Sequence, residues 1–175
     1  MIAIRQLGIE EALKIREIDR TEIIGSIFTC KDGVLTETKA GHECPNWDEG
    51  QYAEMIERFR YELEHGGIAF GAFDQERLVG FGVLGHQFRG SEKNQLQVDL
   101  MYVSQGYRRQ GIGSRIMGEL STVAREKGAA YLYISSTETE SAVQFYLNCG
   151  GAVTDEVDQE LFKKEPEDIH MLKKL

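Results

Sequence analysis

The stretch "QVDLMYVSQGYRRQGIGSR", residues 97–115, joins a predicted strand to a predicted helix through a glycine-spaced turn. Polar and apolar side chains alternate in its first half, which is typical of a strand, and an apolar helical stripe starts at Ile112. Arg108, Arg109 and Arg115 surround the turn in a chain whose formal net charge is −9. This local concentration of positive charge indicates an anionic ligand.

The turn combines the features of an anion site. Main-chain amides at the start of a helix lack partners within the helix and carry the positive end of its dipole. Gly111 and Gly113 have no side chains, so a ligand can approach the main chain closely. Residues 108–114 are therefore predicted to bind a phosphate or diphosphate group. The alternative is a tight turn whose arginines are only solvated, because a motif this short also occurs in proteins that bind no phosphate.

Two common phosphate-binding loops do not fit. A Walker loop ends in Gly-Lys-Ser or Gly-Lys-Thr, and the chain contains neither triplet. A dinucleotide fingerprint needs a third glycine where Ile116 stands, and it follows the first strand of its sheet rather than a later one.

Outward from the turn, the residues predict a single α/β domain over 1–175 with a mixed sheet. The predicted elements follow in the order β α α β β β α β α β β. The first helix carries a stripe of Ile9, Leu13 and Ile18, and residues 20–46 are predicted to be irregular. No repeat or low-complexity linker divides the chain.

Two further local predictions concern the last third of the chain. In the helix "TETESAVQFYLNCGG", Thr137 and Glu140 have the spacing of a capping box, and Gly150 ends the helix. The tail "LFKKEPEDIHMLKKL", residues 161–175, is predicted to be a solvated hairpin that includes the final strand.

Composition limits the classes of function. The isoelectric point of about 5.0 argues against a nucleic-acid partner and agrees with a cationic substrate. No apolar run has membrane-spanning length, and no signal peptide or membrane partner is predicted. Cys30, Cys44 and Cys149 are unpatterned, as in reduced cytoplasmic proteins. Cys30, His42 and Cys44 lack the closely spaced pairs of a zinc site, so no metal is predicted.

Two motifs make the chain similar to the GNAT superfamily of acetyl-CoA-dependent N-acetyltransferases. The family's pyrophosphate signature (Arg or Gln, two residues, Gly, one residue, Gly or Ala) corresponds to residues 108–113. Its downstream A-x-x-F-Y-x-x-x-G pattern corresponds to residues 142–150. The resemblance implies a mixed sheet of about seven strands flanked by about four helices and splayed between the fourth and fifth strands.

The resemblance also implies acetyl-CoA as a co-substrate. The pantetheine arm would pair with the end of the fourth strand, and the amides of residues 109–114 would bind the pyrophosphate. Thr139 stands where the family often has Asn; a threonine hydroxyl can donate a hydrogen bond to the cofactor there, but with a shorter reach than asparagine. The implied cofactor-binding residues are Met101, Tyr102, Val103, Arg108, Arg109, Gln110, Gly111, Ile112, Gly113, Ser114, Thr139 and Tyr146.

Two side chains are candidates for catalysis. Tyr146 matches the tyrosine with which family members often protonate the departing thiolate, and an unperturbed phenol, with a pKa of about 10, starts in the protonated state. A core aromatic is the alternative for Tyr146. Asp99 lies on the polar face of the fourth strand, where related enzymes often have a glutamate that acts as a base through water. A solvated carboxylate that only attracts a cation is the alternative for Asp99.

The resulting hypothesis is an N-acetyltransferase that acts on a primary amine of a small molecule or peptide in a ternary complex. The acceptor is expected to be cationic and to bind residues 20–60 and the last strands. Trp47, Phe28 and Tyr52 either stack on it or pack in the core. A homodimer is left open. The competing classes are a catalytically silent acyl-CoA sensor and a nucleotide-phosphate binder.

Overall fold

The computed structural model describes residues 1–175. It contains nine β-strands, four α-helices and two 3-10 helices. In chain order these are β1 (Ile2–Leu7), a 3-10 helix (Ile9–Glu17), β2 (Glu22–Lys31), β3 (Val34–Cys44), α1 (Glu49–Glu64), β4 (Ile68–Asp74), β5 (Arg77–Arg89), β6 (Gln95–Val103), a short 3-10 helix (Gln105–Tyr107), α2 (Ile112–Glu126), β7 (Tyr131–Ser136), α3 (Glu140–Asn148), β8 (Gly151–Val153), α4 (Gln159–Lys164) and β9 (Ile169–Lys174).

Seven of the strands form one mixed sheet, in the order β1-β4-β5-β6-β7-β9-β8. Strands β6 and β7 pair in parallel. Antiparallel pairing joins β4 to β1 and to β5, and it joins β9 to β7 and to β8. The parallel ladder covers only Gln95–Gln97 against Tyr131–Tyr133, which is the short pairing expected of strands that splay apart. The predicted α/β class, the seven strands and the four helices are confirmed.

The chain divides into two compact units. The first comprises Met1–Glu22, Cys44–His86 and Val98–Val123, and the second comprises Ile23–Glu43, Gln87–Gln97 and Ala124–Leu175. The extent of the single domain, residues 1–175, stays a prediction. No helix of the chain is both long and apolar enough to cross a bilayer.

The core of the first unit is built by the first 3-10 helix, α1 and the strands β4 to β6. Helix α1 contributes Met55, Ile56 and Phe59 from one face. Gly82 on β5 allows α2 to pack closely, because an added Cβ would lie 2.7 Å from Cγ2 of Ile116 and 2.9 Å from Cε of Met101. This close packing fixes the start of α2 relative to the end of β6.

The second unit is organised around β9, and the predicted solvated tail is wrong. Strand β9 is inserted between β7 and β8, and its residues Ile169, His170 and Met171 are all buried. A strand covered on both faces carries consecutive buried residues and therefore does not alternate. The charged residues on either side of this short run led to the prediction of solvent exposure.

Residues 20–46 are also not irregular. They contain the two-stranded sheet of β2 and β3, which are joined by Asp32 and Gly33 with φ angles of 52° and 77°. Positive φ at both positions belongs to the tight turn that Asp-Gly favours. Because almost every residue of β3 is exposed, this strand has no apolar alternation to reveal it.

Two helix predictions need correction. The first helix is a 3-10 helix that buries Ala12 and Ile15, whereas the expected Ile9 and Leu13 are 37% and 59% exposed. The tighter winding of a 3-10 helix turns different residues inward than a 3.6-residue period does.

At the other end of the chain, the predicted capping box does not form. Helix α3 starts at Thr139 as its N-cap, without a side-chain capping bond, so Thr137 precedes the cap. Gly150, with a φ of 95°, follows the end of α3 as predicted.

Candidate active site

The end of β6 is anchored on both sides within the first unit. The amide of Ser104 donates to the carbonyl of Val79 on β5 at 2.8 Å. The hydroxyl of Ser104 accepts from the amide of Asp19 at 3.0 Å, and the amide of Gln105 donates to the carbonyl of Asp19 at 2.8 Å. These bonds fix the point at which the chain leaves the sheet and turns toward α2.

The glycine-spaced turn opens α2 as predicted. The first helical hydrogen bond runs from the amide of Arg115 to the carbonyl of Gly111 at 3.0 Å, so the amides of Gly111, Ile112 and Gly113 precede the helical ladder. Gly111 has a φ of 77°, and an added Cβ there would meet no protein atom within 4 Å. The turn thus offers main-chain donors beside open space, while the buried Ile112 side chain anchors it to the core.

The three arginines at the turn have different environments. The guanidinium of Arg108 donates to the carbonyls of Val103, Thr21 and Arg20 at 3.0, 3.0 and 3.1 Å. Arg115 donates to the carbonyl of Ile2 at 3.2 Å. Arg109 is exposed, has a φ of 61°, and makes no side-chain hydrogen bond within the protein.

Strand β6 carries Asp99, Met101, Tyr102 and Val103 toward this turn. The Tyr102 ring stands edge-on to Trp47, with ring centroids 4.7 Å apart, and stacks on a second aromatic ring of the core. Met101, Tyr102 and Val103 are half-buried. The end of the strand is therefore rigidly held while part of it stays accessible.

Trp47 and Tyr52 pack in the core of the first unit. Trp47 is 6% exposed, and the Tyr52 hydroxyl donates to the carbonyl of Ile18 at 2.9 Å and accepts from the amide group of Asn46 at 3.0 Å. Phe28, in the second unit, is buried as well. Burial of all three favours packing over stacking on an acceptor.

Asp99 is an enclosed carboxylate with an arginine partner. Its side chain is 10% exposed, and its Oδ1 accepts from Nη2 of Arg58 at 2.9 Å. The same Nη2 donates to the main-chain carbonyl of Asp99 at 3.1 Å. Burial lowers the pKa of Arg58, but attraction to Asp99 and the hydrogen bond to its carboxylate outweigh burial and leave that pKa raised. The contact stabilises the positive charge of Arg58, on α1, and the negative charge of Asp99, on β6.

Thr139 and Tyr146 lie in the second unit. Tyr146 is a buried residue of α3, and its ring stands edge-on to Phe145 with centroids 5.0 Å apart. Thr139 forms an antiparallel bridge with Ile27 of β2, next to the hydrogen bond from the amide of Phe28 to the carbonyl of Glu138 at 2.7 Å. Strand β2 thus borders the start of α3, which the sequence did not predict.

Comparison with known proteins identifies the family. Residues 33–150 match the acetyltransferase (GNAT) family. The chain belongs to the GNAT family. This match covers most of the chain and includes both motifs, the arginine turn and the A-x-x-F-Y pattern.

Solved structures share the fold of this GNAT acetyltransferase. Nourseothricin acetyltransferase is 20% identical over 99% of this chain and 98% of that chain, with a TM-score of 0.73. A putative streptothricin acetyltransferase from Bacillus anthracis strain Ames, in complex with acetyl coenzyme A, is 17% identical over 100% and 99%, also with a TM-score of 0.73. The PaiA N-acetyltransferase from Thermoplasma acidophilum, in complex with coenzyme A, is 19% identical over 100% and 99%, with a TM-score of 0.65. No curated protein matches the sequence.

The GNAT acetyltransferase uses acetyl-CoA as its co-substrate. The turn that opens α2 fits the diphosphate of this molecule, because free amides, the exposed Arg109 and the open space over Gly111 occur together. No three His, Cys, Asp or Glu side chains are arranged to hold a metal ion.

Sequence reasoning missed several polar residues of the GNAT acetyltransferase. Arg58 gave no signal, because a charged residue on an amphipathic helix is ordinarily solvated. The second unit also holds a buried pair in which the Tyr133 hydroxyl and Nδ1 of His170 are 2.6 Å apart. Burial raises the pKa of Tyr133 to about 12 and lowers the pKa of His170. Only their spacing on paired strands could have indicated this contact.

Proposed function

We propose that this GNAT acetyltransferase moves the acetyl group of acetyl-CoA to a primary amine of a small molecule or peptide, by direct attack in a ternary complex. The observation that carries the proposal is the turn at the start of α2, where free main-chain amides and Arg109 adjoin the end of β6. A diphosphate bound there lets the pantetheine arm extend along Met101 to Val103, as the family resemblance implies.

The proposed reaction balances with two proton transfers. The neutral amine attacks the thioester carbonyl carbon, the C–S bond breaks, and the thiolate leaves. The main-chain amide of Val103 stabilises the oxyanion, and Tyr146 donates a proton to the thiolate. The proton lost by the amine passes through water to Asp99, which the Arg58 ion pair holds in place. The roles of Val103, Tyr146 and Asp99 follow the family resemblance.

We propose a cationic acceptor. The net charge of −9 favours the approach of a cation, and two of the structural relatives are named for acetylating nourseothricin and streptothricin. Cytoplasmic location and the assembly state stay predictions.

An amine screen that follows thiol release from acetyl-CoA tests this proposal. The panel should contain nourseothricin, a polyamine, lysine, a peptide with a free N-terminus, and an alcohol of similar size as the non-amine control. We expect release above the hydrolysis background with at least one cationic amine and none with the alcohol. Equal release with the alcohol, or coenzyme A binding without turnover on any amine, would contradict the proposal.

A further inference from the structure

Arg108 uses its side chain inside the protein, although it is the first residue of the predicted diphosphate signature. Its Nε, Nη1 and Nη2 each donate to a main-chain carbonyl, at Val103, Thr21 and Arg20 respectively. One planar guanidinium therefore joins the end of β6 to the chain that leads into β2. Lysine has a single ammonium group and cannot reproduce this fork.

The chain it holds, residues 18–21, is called the linker segment below. Other bonds fasten the linker segment at the same place: Asp19 bonds through its carbonyl to the amide of Gln105 and through its amide to the hydroxyl of Ser104. On the opposite side, the amide of Arg20 donates to Oδ1 of Asn46 at 3.1 Å. The linker segment is thus fixed between the end of β6 and the start of α1.

The linker segment lies beside Val103, so Arg108 affects the surroundings of the proposed reaction through its hydrogen bonds as well as its charge. Val103, whose carbonyl Arg108 binds, is also the residue whose amide is proposed to stabilise the oxyanion. An amine must reach the thioester next to that amide, so whatever is fixed beside Val103 borders its path. We propose that Arg108 is a positioning residue that fixes the linker segment as one wall of the acceptor path, while Arg109 and the main chain bind the diphosphate. This inference rests on the proposed function.

A matched pair of substitutions separates the two arginines. Arg108→Lys and Arg109→Lys both keep the positive charge of the turn, so they change hydrogen-bond geometry at adjacent positions and little else. Three quantities are measured for each: hydrogen exchange of peptides that cover residues 18–21, the Kd of coenzyme A by calorimetry, and kcat and KM for the amine found in the screen.

We expect opposite patterns. In Arg108→Lys, exchange of the linker segment rises about tenfold and kcat/KM for the amine falls about tenfold, while the Kd of coenzyme A stays within about threefold of wild type. In Arg109→Lys, the linker segment exchanges at the wild-type rate, and the Kd of coenzyme A rises about threefold or more because a bidentate phosphate contact is lost.

Two results would overturn the inference. Wild-type exchange of the linker segment in Arg108→Lys would show that the three carbonyl bonds do not hold it. A loss of coenzyme A affinity in Arg108→Lys as large as in Arg109→Lys, with unchanged amine kinetics, would place Arg108 on the phosphate. The exchange measurement needs no coenzyme A, so an absence of coenzyme A binding by wild type contradicts the proposed function separately.

A measurement on the wild-type protein covers the case in which Arg108→Lys does not fold. With ¹⁵N-labelled arginine, the Nε–H signal of Arg108 should be protected from exchange before any ligand is added. Addition of coenzyme A should shift the Nε–H signal of Arg109 more than that of Arg108. An unprotected Arg108 signal, or the larger shift at Arg108, would overturn the inference.

Discussion

At the scale of single residues, the first unit contains an ion pair between Arg58 and Asp99. The side chain of Arg58 is 43% exposed, whereas the Asp99 side chain it binds is 10% exposed. A charge this enclosed is stable only with a close partner, and Arg58 supplies that partner from a different element. Asp99 is therefore held at one position on β6 instead of sampling solvent.

Asp99→Asn tests the proposed base. Asparagine keeps the shape and an oxygen for Arg58 but cannot accept a proton. We expect kcat/KM for the amine to fall about 100-fold and the acidic limb of the pH–rate profile to disappear. The control is Glu57→Gln, an exposed carboxylate on the same helix as Arg58, which should keep the wild-type profile. An unaltered profile in Asp99→Asn would leave Asp99 with only an electrostatic role.

Tyr146→Phe tests the proposed acid. The substitution removes only the hydroxyl of a buried ring, so the core of the second unit should persist. We expect kcat to fall at least about 100-fold, because the thiolate would leave unprotonated, with an unchanged Kd for coenzyme A. The exposed Tyr61→Phe serves as the control. Full turnover in Tyr146→Phe would return Tyr146 to the role of a core aromatic.

At the scale of elements, Gly111 at the start of α2 is needed both for the backbone conformation of the turn and for the proposed binding of coenzyme A. Gly111 has a φ of 77°, which an L-amino acid adopts at a cost of roughly 1–2 kcal/mol. Gly111→Ala should therefore lower stability by about that amount and raise the Kd of coenzyme A. Gly118→Ala, farther along α2 with nothing within 4 Å of the added Cβ, should gain up to about 1 kcal/mol and leave that Kd unchanged. Equal effects of both substitutions on coenzyme A binding would contradict close approach at Gly111.

The same elements show how far local sequence patterns reach. The residues of β6, the turn at Gly111 and the stripe of α2 that starts at Ile112 carry their signals within a few positions, and all three were predicted. The burial of strand β9 and the β2–β3 pair were not predicted, because both depend on which strands lie beside them. The Arg58–Asp99 contact joins residues 41 positions apart, and no local pattern encodes such a pair.

At the scale of the whole molecule, the second unit contains a network of polar groups around the buried side chains of Arg89, Tyr133 and His170. The amide of Asp158 donates to the Tyr133 hydroxyl at 2.9 Å, and the same hydroxyl forms a hydrogen bond with Nδ1 of His170 at 2.6 Å. Arg89 forms an ion pair with the Asp158 carboxylate at 3.1 Å. This network holds β7, β9 and the start of α4 together, and the burial of His170 favours its neutral form.

Acid should therefore destabilise the folded chain through His170. Burial lowers the pKa of His170, although attraction to Asp158 partly opposes this effect. The unfolded chain binds the proton near its ordinary pKa of about 6.5, while the folded chain binds it only at lower pH. The free energy of unfolding should fall below about pH 6.5 with a slope of up to about 1.4 kcal/mol per pH unit, and level off below the folded-state pKa. Tm measured from pH 5 to 8 checks this. His170→Gln should flatten the curve, whereas His42→Gln, on the exposed strand β3, should not; equal slopes in both variants would remove His170 as the cause.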